Sequence, residues 1–451
     1  MRIRRILATV LSVEADQLTR ATPFFSVYLC LFAALTMADA IAVTLFASRV
    51  GAAALPLWYS ITAVCSLLVV SIYLVWATVV DSSRLFSWIL CLIATVWMLA
   101  WGGQVWLPGP IPAGIMFVSR EMAQTLVLMH FGTFLQDYFL RSELNRILPV
   151  IYAGGRVGGI AGGACITVLA ERLGTANLIL IAVGLVSLAW IGILLIRRLI
   201  HQQDELETEN RIAANAVSST EMANAANSAD SADSARVAAS TSADTGTFTY
   251  RMIHFTQQVI SIPLLKWLTV GTLCFVGCRW ILAYQYTATF ETEFADEAAL
   301  ARFLGFYTQI ALAVSLLMQL LLVNRIVNWI GVANTHWVYS FIVLSGLAGN
   351  LLWIGLPIAV ASRFIEAELR FGLRNPVNQM LINRFSKKMR IVVRGWSLGF
   401  LIPVGTLMVS GVIYWLLNWQ GTWAVAVAGV LVGVAYLVSS WKIGQAYQNH
   451  K

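Results

Sequence analysis

Long apolar runs recur along this chain, each about the length needed to cross a lipid bilayer, and short polar or basic stretches separate them. The pattern predicts spans at 22–46, 56–80, 86–106, 113–135, 149–170 and 177–197. It then breaks, and resumes with spans at 262–288, 303–324, 337–356, 357–375, 393–416 and 421–440. Runs this long are helical rather than strand-length, and a helix satisfies its own backbone in lipid. The prediction is an all-α polytopic membrane protein of twelve transmembrane helices, arranged six plus six.

The break has a different composition. Between the sixth and seventh runs the chain reads AANAVSSTEMANAANSADSADSARVAASTSADTG, rich in Ala, Ser, Asp and Asn and nearly free of aromatics. Too little apolar surface is available there to offset the entropy of ordering. The predicted organisation is a cytoplasmic lead-in over 1–21, an amino-terminal half over 22–200 and a disordered linker over 201–258. A carboxy-terminal half over 259–441 and a cytoplasmic tail over 442–451 complete it. The basic start MRIRRILATV is cut short by Glu14 and Asp16 and has no A-x-A site, so the expectation is a cytoplasmic or interfacial lead-in rather than a signal peptide.

Charge sets the orientation. Arg84, Arg141, Arg146, Arg197, Arg198, Arg325, Arg384, Lys387, Lys388 and Arg390 all fall on one side of a twelve-span layout. The excess of Lys and Arg in cytoplasmic loops then predicts both termini inside, in a bacterial inner membrane. The same excess accounts for the net charge of +8 without a nucleic-acid partner. Apolar residues make up 59% of the chain and charged ones only 12%, about half the share of a soluble domain. The six cysteines lie inside apolar runs, where free Cys acts as a small hydrophobe, and no metal-ligand spacing accompanies them. No H-E-x-x-H motif is present. The expectation is a non-enzyme without cofactor or metal, acting as a monomer among membrane lipids on a small-molecule substrate.

GGRVGGIAGG, at 154–163, has the glycines of a phosphate loop but neither its Lys-Ser end nor a preceding strand. Gly154, Gly158 and Gly162 form one line on a helix, and Gly155, Gly159 and Gly163 form its neighbour. Small residues at this spacing let two membrane helices approach closely. Gly395 and Gly399 repeat the device in the eleventh span. A shift of 240 residues superimposes Phe131-Gly132 on Phe371-Gly372, Gly155 on Gly395 and Gly159 on Gly399, which predicts two pseudo-symmetric halves related by a parallel repeat.

Charges within spans are costly, so each marks a candidate site. Asp39, Arg120, Glu121, Arg279, Arg363 and Glu366 lie in the first and fourth spans of each half. That distribution predicts a central cavity lined by those four helices, as in a major-facilitator-like carrier. Arg120, Arg279 and Arg363 are candidates for holding an anionic group, because a guanidinium recognises carboxylate or phosphate through two parallel bonds. Asp39, Glu121 and Glu366 are the candidate counter-charges or coupling groups. Asp39 and Arg279 are 240 residues apart, so an ion pair across the cavity is one expectation. Tyr284 is a candidate substrate contact, with Tyr59, Trp280 and Tyr286 as further aromatics. Arg156 can snorkel, pair or bind phosphate, and His130 reads as a satisfied structural residue.

Three passages carry a family likeness. Residues 37–60 (MADAIAVTLFASRVGAAALPLWYS), 294–332 (FADEAALARFLGFYTQIALAVSLLMQLLLVNRIVNWIGV) and 373–405 (LRNPVNQMLINRFSKKMRIVVRGWSLGFLIPVG) resemble the ATP/ADP translocase-like family of major-facilitator proteins. The resemblance implies a twelve-helix carrier, with nucleotides among its candidate cargoes. The chain departs from that family in its lysines: Lys266, near a span end, is the only one inside a predicted span. The function expected is secondary transport of a small anionic or zwitterionic solute by alternating access. The alternatives are a lipid or drug exporter, marked by an apolar cavity, and a non-transporting scaffold or sensor that uses its linker.

Overall fold

The computed structural model describes residues 15–107, 109–139, 141–198 and 262–449. Six helices precede the undescribed stretch and six follow it. In the first half these are α1 (Ala15–Arg49), α2 (Leu55–Trp76), α3 (Ser82–Trp106), α4 (Pro110–Gln136), α5 (Arg141–Leu173) and α6 (Leu178–Arg198). In the second, α7 is Pro263–Glu293 and α8 is Glu297–Met318, extended by a π-helical turn over Gln319–Val323. The helix α9 is Asn324–Leu352, with a kink at Gly331. Helix α10 joins Leu356–Phe364, a π-helical stretch Ile365–Arg374 and Asn375–Ile382. Helix α11 joins Lys387–Trp396, a π turn Ser397–Leu401 and Ile402–Trp419, and α12 is Thr422–Asn449. Twelve membrane helices in two six-helix halves is thus the architecture of the described residues.

Two boundaries differ from the sequence reading. Residues 15–21 of the expected lead-in belong to α1, and 442–449 of the expected tail continue α12. Both segments are polar extensions of apolar helices, and backbone hydrogen bonding carries the helix past the hydrophobic edge. The linker at 201–258 lies outside the described residues, as do residues 1–14. Prolines at the first turns of α2, α4, α7 and α10 start those helices where a missing N–H costs nothing. Gly174 and Gly421, at φ +77° and +81°, end α5 and α11 in the left-handed conformation that other residues resist.

Ten of the helices are apolar and long enough to span a membrane on those criteria alone. The two outside that set are α4 and α10, the fourth helix of each half. Helix α4 carries Arg120, Glu121 and Gln124 in mid-span, and α10 carries Arg363, Glu366, Glu368 and Arg370 within eight residues. Their polarity is intelligible only if they face something other than lipid.

The glycine stretch of α5 packs as two lines with two partners. A Cβ on Gly154 would stand 2.9 Å from the carbonyl oxygen of Phe25, one on Gly162 would stand 2.5 Å from that of Ala33, and one on Gly158 would overlap the carbonyl of Leu29. The four-residue repeat on α5 thus matches Phe25, Leu29 and Ala33 on α1 backbone to backbone. The second line leans first on α1, where Gly155 meets the Tyr28 ring, and then on the other half. Gly159 meets Leu312, and Gly163 faces Gly305 with 2.8 Å between the would-be Cβ and the backbone oxygen. Helices α5 and α8 form one seam between halves, and α2 and α11 form the other.

Gly399 departs from the expected role. It sits in the π turn Ser397–Leu401, and among the described residues no atom beyond its own helix backbone and chain neighbours lies within 4 Å of where its Cβ would be. A π turn shifts the register of the face, so the four-residue spacing no longer makes a continuous line. The surroundings of Gly395 lie outside the described residues. Gly158→Val and Gly162→Val should each lower the stability of the detergent-purified protein by about 1–3 kcal/mol through overpacking. Gly399→Ala should stay within about 0.5 kcal/mol. Thermal unfolding of the three variants checks the contrast.

Candidate functional site

The deep charges converge where α1, α4, α7 and α10 face one another, and they sort into two groups of three. Asp39 on α1 accepts from Arg120 on α4 through Oδ1 and from Arg363 on α10 through Oδ2, the latter at 2.7 Å. Arg279 on α7 donates through Nε to Glu366 on α10 at 2.8 Å, and through Nη2 to Glu121 on α4 at 3.1 Å. The triads have opposite sign: an acid between two arginines, and an arginine between two acids. Each contains one bond within a half and one bond between halves. Arg120 Nη2 also lies 3.6 Å from Glu121, which joins them into one network.

The expected pair between Asp39 and Arg279 is not what forms. The two residues stand on the first helix of each half, but α4 and α10 each present both signs of charge between them. Each is therefore neutralised by its neighbours. Arg363 has only 5% of its side chain exposed, whereas Asp39 keeps 42%, so the carboxylate is the group open to the cavity.

A cavity of about 470 Å³ is walled by these residues, a size that suits metabolite- or drug-sized ligands. Tyr59, Phe117, Trp280, Tyr286 and Tyr307 complete its core. The arginines lie over these rings: Arg120 is 4.5 Å from Phe117, Arg279 is 4.5 Å from Trp280, and Arg363 is 5.4 Å from Tyr286. Tyr284 is buried but does not line this cavity, contrary to its expected role. On α7 the wall is made by Arg279, Trp280, Ala283, Tyr286 and Thr287, and Tyr284 is turned away from it.

Two charged residues on the wall went unread in the sequence, Glu368 and Arg370. Their position in the predicted span placed them near its end, where a charge is unremarkable. The available signal was the spacing Glu366–Arg370, four apart on one face. Glu368 accepts from Arg156 of α5 at 2.9 Å, so Arg156 pairs across the halves. His130 is held by Tyr73 through Nδ1 and by the Ser82 backbone oxygen at 2.8 Å through Nε2, tying α4 to the start of α3.

The cavity is closed at one face. Where α1 ends, Arg49 donates to Glu297 at 2.8 Å and to Gln104 at 2.6 Å, while the Ala52 amide donates to Glu291 at 2.5 Å. Arg302 pairs with Glu171 at 2.5 Å, and Gln309 donates to Thr167 at 2.8 Å. Apart from Arg49 to Gln104, every one of these joins the two halves. Toward the face where α1 begins, the wall instead continues through Tyr28, Phe32, Tyr152 and Gln319.

The Arg156–Glu368 pair is mostly buried, at 17% and 12% exposure. Neutralising one partner strands the other charge, so Arg156→Gln or Glu368→Gln should each cost about 3 kcal/mol. The double variant should recover at least about 1 kcal/mol relative to either single one. Equilibrium unfolding in detergent, read as a double-mutant cycle, checks this.

No family model matches the chain, and neither does any curated protein sequence. Solved structures do. A single-site mutant of the nucleoside transporter NupG is similar at 12% identity and a TM-score of 0.62, covering 96% of this chain and 99% of that one. A POT family transporter in complex with 5-aminolevulinic acid is similar at 11% identity and a TM-score of 0.58, covering 94% and 96%. A peptide transporter POT in complex with sulfate gives 11% and 0.58, covering 94% of each. Likeness over nearly the whole length, at identities this low, is likeness of architecture. The chain is an integral membrane protein with the major-facilitator fold.

Proposed function

We propose that this protein is a secondary transporter that moves a small anionic or zwitterionic solute by alternating access. The observation that carries the reading is a charged cavity at the junction of two helical halves, closed at one face by contacts between those halves. A static scaffold has no use for nine charged side chains around a cavity in the membrane. An exporter of apolar compounds needs the opposite lining. Transport as the activity of the structural neighbours agrees with the proposal. The positive-inside pattern assigns the open face to the cytoplasm of a bacterial inner membrane, with both termini on that side.

Nucleotides are a candidate cargo through the translocase-like passages at 37–60, 294–332 and 373–405. The candidate is weakened by the cavity itself, whose described wall holds arginines and no lysine. The described spans hold no nucleotide-hydrolysing loop, so the driving force is an ion or solute gradient. Arg120, Arg279 and Arg363 are proposed to surround the solute in the cavity, with Asp39, Glu121 and Glu366 as counter-charges that exchange partners during the cycle.

Alternating access predicts that the closed face opens when its latch is weakened. In a background with the six native cysteines replaced, Val43→Cys on the cavity wall should react with a membrane-impermeant maleimide from the amino-terminal face. It should be protected from the opposite face. Adding Arg49→Gln and Glu171→Gln should raise labelling from that opposite face about tenfold, a shift of roughly 1.4 kcal/mol. Labelling that stays one-sided in both backgrounds would argue for a fixed structure.

A further inference from the structure

We infer that the cavity takes an organic acid carrying a single net negative charge, and that its anionic group docks on Arg370 rather than on the arginines of the two triads. The inference rests on the transport reading above and sharpens it. Nine charged side chains among the described residues line the cavity. Arg120, Arg156, Arg279, Arg363 and Arg370 are positive, and Asp39, Glu121, Glu366 and Glu368 are negative. The wall is therefore one positive charge in excess. In a site sunk within the bilayer a lone charge is expensive, and a solute that cancels it is favoured over one that adds to it.

The excess can be placed. Arg120 and Arg363 share Asp39, Arg279 is held between Glu121 and Glu366, and Arg156 has Glu368. Arg370 is left with one ion pair, at 3.6 Å from Glu366 Oε1, the same oxygen that already accepts from Arg279 at 2.8 Å. Its Nε is buried without a hydrogen-bond partner. Arg120 Nε is also buried and unpartnered, but both other nitrogens of that guanidinium face carboxylates, so its charge is offset. A desolvated guanidinium with an idle N–H is an unmet donor, and a carboxylate or phosphodiester oxygen meets it.

The neighbourhood describes the rest of the ligand. Arg370 lies 4.5 Å from the Phe371 ring, and Tyr28, Phe32 and Tyr152 of the other half form an aromatic cluster lining the same cavity, with Tyr28 centred 4.4 Å from Phe32 and 5.1 Å from Tyr152. An aromatic or similarly flat apolar body fits against that surface. A dianion would leave the site net negative, and a neutral analogue would leave Arg370 uncompensated.

The test uses the full-length protein in detergent with three probes of one shape: phenylacetate, its neutral amide and the dianion benzyl phosphate. Binding is read by calorimetry in the native chain, in Arg370→Gln, in Arg370→Lys and in the Arg156→Gln/Glu368→Gln double variant. The native chain should prefer phenylacetate to both other probes by at least about tenfold, as one charged hydrogen-bonded contact implies. Arg370→Gln makes the wall neutral and should erase that preference. Arg370→Lys keeps the charge and should retain the preference with weaker binding. The double variant also keeps the excess of one and should retain the preference for phenylacetate over the other two probes, whatever the change in overall affinity.

Undiminished phenylacetate binding in Arg370→Gln would overturn the assignment, as would equal binding of acid and amide in the native chain. Absence of phenylacetate binding to the native chain would overturn it too. None of these results touches the labelling experiment at Val43, which tests the transport reading alone, so the two ideas fail separately.

Discussion

Charge neutrality inside the membrane is the constraint on which this structure depends. Asp39 on α1 and Arg279 on α7 have opposite signs, and each is held by two residues of the other sign from α4 and α10. An unpaired ion there would be intolerable, so the four helices must meet in one arrangement for any of them to be stable. Because each triad draws one bond from its own half and one from the other, the network braces each half and also joins the two. The first kind of bond survives a movement of the halves; the second is the part that movement must exchange.

The contacts between the halves are of two kinds. At α5 and α8, glycines bring backbones together, and polar side chains such as Gln309 and Thr167 bridge what remains. Close backbone approach supplies dispersion energy where lipid removes the hydrophobic drive. At the end of α1 the closure is ionic and partly exposed, with Arg49 and Glu297 each 25% open. Bonds of that kind are weak individually and exchange readily with water. A tight, apolar pivot beside a wet, breakable latch is a sensible division of labour for parts that must turn about one another.

The fold was legible in the sequence because the bilayer imposes a length and a polarity on every element that crosses it. Twelve runs, a basic bias on one side and a polar break after the sixth were enough to recover twelve helices in two sixes. The charged residues at the cavity were legible for the same reason, since a charge in an apolar run stands out. What could not be read was who pairs with whom. The offset of 240 put Asp39 opposite Arg279, but pairing is set by rotation about helix axes and by the π-helical stretch of α10. That stretch changes the residues facing inward without any change in composition. Glu368 and Arg370 were missed because they fell toward the end of a predicted span, and Tyr284 was included for want of a reliable facing. Gly399 shows the same limit: its spacing matches that of Gly159, and a π turn removes the consequence.

The polarity of α4 and α10 has a bearing on how the chain is made. A helix leaves the translocon for lipid when its summed transfer energy is favourable, and each central charge opposes that by roughly 2.5–3.5 kcal/mol. Helix α4 emerges after α1, so Arg120 finds Asp39 already waiting, while Glu121 has no inter-half partner until α7 has been synthesised. Helix α10 arrives last of the four and finds counter-ions for Arg363 and Glu366 on α1 and α7. Insertion of the charged helices is therefore ordered by the chain itself. The amino-terminal half is born with an outstanding charge that only its sibling can settle, which makes the two halves one unit of biogenesis despite their internal repeat.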